Sequence, residues 1–434
     1  MQISKIGLKV AAIVAATALL AGCSTAQEPS GGALEINYWT WFPPQATLDA
    51  AIAAFEAENP GITVNLRTFE NADYQKQLPL ALSSGEDIDV AGVQVSAMTN
   101  SVKDYLLPAE DWAADILPTI NPTMVEQTAA IADDGVLYSV PLGSIGSPLM
   151  YYNATMLDEL GLSVPTTAAE WKKGVDAISA AHPDVTPVVF SGEPYWQEEM
   201  FFAIAEQTSP GLSDDIIGGD GSWDQPAVVD GLDAYKSLFD DGIVSQDVLS
   251  LLGSRPSELF SAGEAAFYID GSWNNSLLSA AYRAENGIEL TDVGVAPMPL
   301  VNGGKPAVRA LAEGGLAIPT ASKHQEAAEK FIAFMLGAGG ADVWAKDLVL
   351  VPSLTGYEVS ESVLESDAAR DGFVAATAVI SAPTSKRDSQ QDFLNAVEGN
   401  VILDVLRGTT TSEAAAAQLQ SEWTSGRYPH GSGQ

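Results

Sequence analysis

The chain has 434 residues, of which 46% are hydrophobic, and this length predicts two or three domains or one large architecture divided by a cleft, which excludes a single small fold. Its 57 acidic residues outnumber its 20 lysines and arginines, so the formal net charge is −37 at pH 7. Such an acidic surface repels phosphate backbones, which argues against nucleic-acid binding, and it is typical of an exposed and well-solvated protein.

Residues 1–22 have the layout of a secretory signal. Two lysines precede an apolar run at 10–20, which is shorter than the about 20 residues that a transmembrane helix needs. The run ends in the sequence LAGC, which is similar to the lipobox of bacterial lipoproteins. We therefore expect cleavage before Cys23, a lipid on Cys23, and a flexible tether at 23–33 that leaves the mature protein outside the cytoplasm, anchored to the cell membrane. Because Cys23 is the only cysteine, an intramolecular disulfide and a cysteine-based zinc site are both excluded.

The mature chain opens with alternating strands and helices. The predicted elements are a strand at 34–39, a helix at 45–58, a strand at 62–68, a helix at 73–85 and a strand at 87–95. In the first helix Leu48, Ile52 and Phe55 share one face, and Asn59-Pro60-Gly61 ends it. Strands that alternate with helices predict a parallel sheet, and hence an α/β fold.

A second series of elements follows residues 136–142. Thr167 and Glu170 have capping-box spacing and open a helix that buries Trp171, Val175 and Ile178. Further strands are predicted at 186–192, 265–271, 293–300 and 314–320, followed by a helix with Ala328, Phe331, Ile332 and Met335 on one side.

Signatures of catalysis are missing from the sequence. Its three histidines, His182, His324 and His430, lie in polar settings, and no pair has the spacing of metal ligands. The motifs of serine hydrolases, zinc proteases and P-loop NTPases do not occur. Neighbouring acids such as Glu198 and Glu199 are expected by chance in so acidic a chain. We therefore expect a protein that is not an enzyme and that needs no cofactor or metal.

Several tryptophans lie beside turn residues at the ends of predicted strands, where ligands bind in open α/β sheets. Trp41, Trp196 and Trp273 are of this kind. An indole face packs against the C–H face of a pyranose, while nearby carboxylates and amides bind its hydroxyls. Helical spacing instead predicts core positions for Trp112, Trp171 and Trp423.

Six segments behind the lipobox-like sequence together resemble the extracellular solute-binding proteins of carbohydrate ABC importers, the family that includes maltose-binding proteins. The segments are FEAENPGITV (55–64), LPLALSSGEDIDV (78–90), PLMYYNATMLDELGLSVPTTAAEW (148–171), FSAGEAAFYIDGSW (260–273), VGVAPMPL (293–300) and GGLAIPTASKHQEAAEKFIAFML (314–336). The resemblance covers most of the mature chain and implies a type II periplasmic-binding-protein-like α/β fold with two hinge-linked lobes. A sugar would bind in the cleft between the lobes and pass to a membrane permease. The resemblance implies a first lobe of 34–141 plus 294–345 and a second lobe of 142–293 plus 346–434, in a protein that we expect to be a monomer.

The resemblance also implies a set of ligand-binding residues. Trp39, Thr40 and Trp41 match the family's first cleft loop, Asp73 and Tyr74 match a helix start, and Gln94 matches a loop after a strand. Glu193-Pro194-Tyr195 matches a sugar-site motif, and Trp273 matches a stacking tryptophan. Glu313, Gly314 and Trp344 match positions that reach the cleft. With Trp196 and Asp270 these residues form the predicted site, in which Glu193, Asp270 and Gln94 accept hydroxyl protons. The first loop, WTWFPP, lacks the Asp and Lys of maltose binders, which puts maltose in doubt as the ligand.

Three other interpretations remain open. The same fold could bind a polyamine or another cation between Asp73, Glu193, Asp270 and Glu313. Tyr151-Tyr152 is similar to a pair in ferric-ion binders, but without a supporting histidine cluster we expect it to be structural. A surface-tethered glycoside hydrolase would need two inward carboxylates. A purely structural surface lipoprotein would bind no small molecule.

Overall fold

The computed structural model describes residues 34–360, 363–387 and 397–427. The predicted signal, Cys23, the tether and His430 lie outside the described residues. The described strands are β1 (Leu34–Thr40), β2 (Ile62–Thr68), β3 (Val90–Val93), β4 (Gly143–Ser147), β5 (Leu149–Asn153), β6 (Thr186–Val189), β7 (Ala265–Asp270), β8 (Val293–Pro297), β9 (Arg309–Glu313), β10 (Gly315–Ala317), β11 (Val351–Pro352) and β12 (Ser385–Lys386).

The described α-helices alternate with these strands. They are α1 (Gln45–Glu58), α2 (Asn71–Ser84), α3 (Ala97–Val102), α4 (Ala109–Trp112), α5 (Pro122–Ile131), α6 (Ala154–Glu159), α7 (Ala168–Ala181), α8 (Pro194–Ala205), α9 (Leu212–Gly218), α10 (Pro226–Asp240), α11 (Arg255–Ser261), α12 (Ala280–Glu285), α13 (Gln325–Leu336), α14 (Ala338–Trp344), α15 (Asp367–Ser381), α16 (Gly399–Leu406) and α17 (Ser412–Trp423). A 3₁₀ helix at Ser272–Leu278 follows β7.

The strands form three four-stranded sheets. In the first sheet, ordered β10-β3-β1-β2, β1 runs parallel to β2 and β3, and β10 is antiparallel to β3. The middle sheet is ordered β11-β4-β9-β12, with β4 antiparallel to β9. The third sheet is ordered β6-β7-β5-β8, with β5 antiparallel to both neighbours. The predicted parallel pairing therefore holds for β1 to β3, whereas the second series forms a mixed sheet.

Two large hydrophobic cores surround the outer sheets. The first core packs α1, α13 and α14 on the first sheet and includes Tyr38, Phe55 and Phe331. The second core packs α7, α8, α10, α16 and α17 on one face of the third sheet and includes Trp171 and Phe201. A smaller core under α15 covers the opposite face of the third sheet. The middle sheet contributes Ile145 to the first core and Ala310 and Val351 to the smaller core under α15.

Sheet pairing bears on the expected lobe boundary at residue 294. Every residue of β8 is paired with β5, so 293–297 lie in the third sheet. The lobe boundary itself stays a prediction. Helices α13 and α14 lie in the first core, as the expected return of the chain at 294–345 requires.

Local sequence signals explain the ends and faces of α7. Thr167 is its N-cap and accepts a hydrogen bond from the backbone N–H of Glu170 at 3.3 Å. The Glu170 carboxylate accepts in return from the backbone N–H and the hydroxyl of Thr166, each at 2.8 Å, one residue earlier than a standard capping box. Trp171 and Ile178 are fully buried, so the predicted helix face is confirmed. Within the described part of the chain, no helix is long and apolar enough to cross a membrane.

Candidate functional site

Trp273 lies between the two large cores. It follows β7 in the 3₁₀ helix, and its half-buried indole packs against residues of both cores. The ring folds back over Gly271, where a Cβ atom would lie 2.2 Å from the indole, so this close approach requires glycine. Ser272 fixes the turn to β4, because its hydroxyl accepts a hydrogen bond from the N–H of Gly146 at 3.1 Å. Trp273 is thus a rigidly held aromatic surface at the junction of the two halves of the molecule.

An arginine covers one face of this indole. The guanidinium carbon of Arg387 lies 4.9 Å from the Trp273 ring centroid, within cation–π range. Its Nε donates a hydrogen bond to Ser147 Oγ at 2.9 Å and forms an ion pair with Glu199 at 2.6 Å. Ser147 in turn donates to Glu199 at 2.8 Å. Sequence reasoning missed Arg387, because Ser147 lies 240 positions away and no local pattern marks the arginine.

Two carboxyl groups at strand ends lie near Arg387. Asp270, the last residue of β7, accepts hydrogen bonds from the Tyr268 hydroxyl and, at 2.8 Å, from the Gly271 N–H. Burial raises the pKa of Asp270 to about 6 although these bonds and Arg387 lower it. Glu313, the last residue of β9, accepts from the Gly314 N–H at 2.9 Å. Burial raises its pKa to about 7, against the opposing effects of the Gly314 bond, Arg387 and a side-chain hydrogen bond from Gln94.

Further predicted residues approach the same region from α2, the loop after β3 and the start of α8. The Gln94 side chain, which contacts Glu313, also accepts a hydrogen bond from Gln75 on α2 at 3.3 Å. Tyr195 is 41% exposed. Burial of part of its side chain raises the pKa of Tyr195, and the charge of Glu193 adds to the rise, as does that of Asp270. The structure therefore brings Gln94, Tyr195, Asp270, Trp273 and Glu313 together around Arg387. Gly314, the residue after Glu313, has φ +66°, and its N–H donates the hydrogen bond to the Glu313 carboxyl group.

The Glu193 carboxylate makes a contact within its own half of the molecule. It accepts a hydrogen bond from the Gly253 N–H at 3.1 Å, which ties the start of α8 to the loop before α11. The Gly253 N–H therefore competes with ligand hydroxyls for the Glu193 carboxylate.

Four other predicted residues belong to the core in this structure. Tyr74 is fully buried and its hydroxyl bonds to the backbone oxygens of Trp39 at 2.9 Å and Gly92 at 2.8 Å. Trp344 is 1% exposed, and its Nε1 donates to Met335 O at 2.8 Å. Thr40 is buried, and its hydroxyl donates a hydrogen bond to Phe42 O. Trp196, on α8, is 2% exposed. These four side chains therefore pack inside the protein in this structure, and their assignment as ligand contacts stays a prediction.

The first cleft loop carries an aromatic cluster. Trp39 is 8% exposed, packs on Phe69 and is covered by the guanidinium of Arg67 at 4.3 Å. Trp41 is half-buried and lies 5.3 Å from Tyr74, ring centre to ring centre. Asp73, at the start of α2, is exposed. Trp41 in this loop and Asp73 on α2 therefore keep exposed surface that a ligand could contact.

A buried ion network lies behind Trp273 and Arg387. Arg309 on β9 is fully buried, pairs with Glu198, lies 3.8 Å from Glu199 and donates to Ser213 Oγ at 3.1 Å. Burial raises the pKa of Glu198 to about 8, although Arg309 lowers it. The network connects α8 to β9 and holds Glu199, the ion-pair partner of Arg387.

The described residues give no support for a metal centre. Among them, no group of three or more His, Cys, Asp and Glu side chains has a geometry that could hold a metal ion. The Tyr151 hydroxyl is buried between Gly271 O at 2.9 Å and Asn275 Oδ1 at 2.7 Å, so it has the structural role expected for it.

Comparison with known proteins identifies the family. Residues 39–342 match the family model of bacterial extracellular solute-binding proteins. The chain is 24% identical over 357 residues to a galactooligosaccharide-binding protein of Bacillus subtilis, covering 80% of this chain and 79% of that one. It is 22% identical over 422 residues to an arabinooligosaccharide-binding protein of the same organism, covering 90% and 92% of the two chains.

Solved structures show the same fold. Maltose-bound MalE3 of T. maritima superposes with a TM-score of 0.69 at 20% identity, over 90% of this chain and 99% of the other. The apo form of RafE from Streptococcus pneumoniae gives a TM-score of 0.70 at 18% identity, over 92% and 98%. The predicted two-lobed type II periplasmic-binding-protein fold is therefore confirmed. Because the family model matches more than half of its length, the chain belongs to the bacterial extracellular solute-binding proteins.

Proposed function

We propose that this protein is the substrate-binding component of an ABC importer and that it captures a sugar or oligosaccharide between its lobes. The observation that carries the proposal is the half-buried indole of Trp273 at the junction of the two cores, with carboxyl groups of Asp270 and Glu313 nearby. This combination of an aromatic face and hydrogen-bonding groups suits a pyranose. Relatives named for binding galactooligosaccharides and arabinooligosaccharides support the carbohydrate class.

The two halves of the site come from different parts of the fold. Gln94 follows β3 of the first sheet, whereas Asp270 ends β7 of the third sheet and Trp273 follows it. A ligand that contacts both sets favours the closed arrangement of the lobes, because only that arrangement allows all contacts at once. The ligand leaves unaltered, and the closed form is the one that a membrane permease receives.

The proposal includes the location of the protein. A lipid on Cys23 would hold the mature chain at the outer face of the cell membrane, and residues 23–33 would let the lobes reach the permease. Mass spectrometry of the membrane fraction tests this directly. We expect a lipid-modified N-terminal peptide that begins at Cys23, and Cys23→Ala should release the protein into the medium.

A ligand screen tests the function. Purified protein that lacks residues 1–23 is heated with galacto-, arabino-, xylo- and malto-oligosaccharides, their monosaccharides, putrescine and Fe³⁺. A ligand that binds only the folded protein at 100 times its Kd stabilises it by about 2.7 kcal/mol, so a sugar should raise the Tm. Stabilisation by putrescine or Fe³⁺ alone would contradict the carbohydrate proposal. Chromatography of the same incubations should return every oligosaccharide intact, and shortened products would indicate a glycoside hydrolase instead.

A further inference from the structure

Arg387 has hydrogen-bonding capacity that its contacts with the described residues leave unused. Its Nε is committed to Ser147 and Glu199. Its Nη1 and Nη2 atoms donate no hydrogen bond to any residue that the structure describes. The side chain is only 13% exposed, so these atoms are largely removed from bulk water. Donors in such a position lose free energy unless a partner arrives.

The partner would approach along Trp273. The guanidinium covers one face of the indole at 4.9 Å, and therefore a ring that stacks on this tryptophan lies at the edge of Arg387 or on the opposite face. Arg387 also acts on the charged groups of the site, since it lowers the pKa of both Asp270 and Glu313. The arginine is thus close enough to contact the indole and to act on the charge of both carboxyl groups.

The charges around Arg387 restrict the chemistry of a ligand. The positive charge is already paired with Glu199, and Asp270 and Glu313 add negative charge on the ligand side. A ligand carboxylate would be repelled by these two carboxyl groups when they ionise. A ligand ammonium would be repelled by the positive charge of the Arg387 guanidinium. A hydroxyl both donates and accepts, so it can satisfy the arginine and a carboxyl group together.

We propose that Arg387 contacts the ligand through Nη1 and Nη2 and that it limits the site to uncharged carbohydrates. This inference rests on the proposed function and specifies its substrate class. It makes Arg387 a specificity-determining residue, whose hydrogen bonds go to hydroxyl or ring oxygens of the sugar stacked on Trp273.

The test compares matched variants by calorimetric titration. Arg387→Lys keeps the charge and the partner Glu199 but loses the planar set of donors. Arg387→Met combined with Glu199→Gln removes the charge and leaves no unpaired buried carboxylate. Lys386→Met removes a positive charge from the neighbouring, exposed position and serves as the control. Galactobiose, arabinobiose and maltotriose are the neutral probes, digalacturonate is the acidic probe and galactosamine is the cationic probe.

Wild-type protein should bind at least one neutral probe and neither charged probe. Arg387→Lys should weaken that binding by about tenfold, and the double variant by more than the lysine variant, while Lys386→Met stays within about twofold. In the double variant, the affinities for digalacturonate and galactosamine should lie closer to the affinity for the neutral probes. Equal neutral-sugar affinity in all variants would overturn the role of Arg387 while leaving the proposed function intact. Tight binding of a charged probe by the wild type would overturn the substrate class, and binding of no saccharide would overturn both proposals.

Discussion

At the scale of single residues, the site combines an aromatic face with carboxyl groups that burial keeps partly protonated. Trp273 supplies the face, and Asp270 and Glu313 have pKa values raised to about 6 and about 7. A protonated carboxyl can donate as well as accept a hydrogen bond, which suits hydroxyl recognition. Sequence reasoning predicted all three as site residues, with Trp273 and Glu313 matched through the family resemblance. It missed Arg387, because a partner 240 positions away leaves no trace in local spacing.

Replacing Trp273 tests the stacking surface. Trp273→Ala should weaken sugar binding by about 1–3 kcal/mol, the usual effect of truncating a well-packed aromatic anchor. Isothermal titration with the best sugar of the screen measures this loss. Trp112→Ala is the control, because Trp112 is also partly buried against the first core but lies on α4. An unchanged Kd for Trp273→Ala would remove the indole from the site.

Glu313 should make the stability of the protein depend on pH. Its folded-state pKa, about 7, exceeds the ordinary value of 4.5, so the folded state binds this proton more tightly than the unfolded state does. The stabilising contribution is therefore complete below about pH 4.5 and is lost as the pH rises through 7, at up to about 1.4 kcal/mol per pH unit.

Glu313→Gln resembles the protonated form and should remove this dependence. Urea unfolding of the variant and the wild type from pH 5 to pH 8 measures the difference between them. We expect the variant to gain stability relative to the wild type as the pH increases. A difference that stays constant across the range would show that Glu313 titrates normally.

At the scale of elements, helix and strand assignments followed from the sequence where periodicity and capping agreed, as in α7. Trp196 shows how such reasoning failed. It was expected on a loop because Glu-Pro-Tyr-Trp contains turn residues, but Pro194 is the first residue of α8, where a proline without an N–H is well tolerated. That signal was available. No sequence signal marked Tyr74 and Trp344 as buried, because their polar atoms donate hydrogen bonds to backbone oxygens of residues that are not adjacent in the sequence.

The ion network between α8 and β9 is expected to hold these elements together. Arg309→Met leaves Glu198 buried without its paired cation and Glu199 with Arg387 alone, and it should lower the free energy of unfolding by about 3–5 kcal/mol. Urea denaturation gives this value. Adding Glu198→Gln should restore part of the loss. Arg255→Met is the control, because Arg255 is exposed and its 3.6 Å pair with Glu258 should contribute little. Equal losses for Arg309→Met and the control would show that the network does not stabilise the fold.

At the scale of the whole molecule, composition and element order predicted a large α/β protein, and the family resemblance added the two-lobed fold. The net charge of −37 also acts at this scale, since it keeps the lobes and neighbouring molecules apart at low salt. Which strands form the middle sheet was beyond sequence reasoning, because β4, β9, β11 and β12 are short and come from distant parts of the chain.

Lobe closure can be measured in solution. Small-angle X-ray scattering should show a smaller radius of gyration when saturating sugar is added to the wild type, because the ligand favours the arrangement in which both lobes contact it. Trp273→Ala at the same sugar concentration should show a smaller change. An identical radius of gyration with and without sugar, at a concentration where titration shows full binding, would contradict closure.

The strand β9 carries Arg309 at its first residue and Glu313 at its last. One end therefore lies in the buried ion network, and the other carries the carboxyl group that we propose for the ligand site. Residues four positions apart lie on the same face of a strand, but about 13 Å of strand separates them, so each end can change without direct contact with the other. Selectivity for a new ligand could thus evolve by substitution of Glu313 alone, without destabilising the ion network at Arg309.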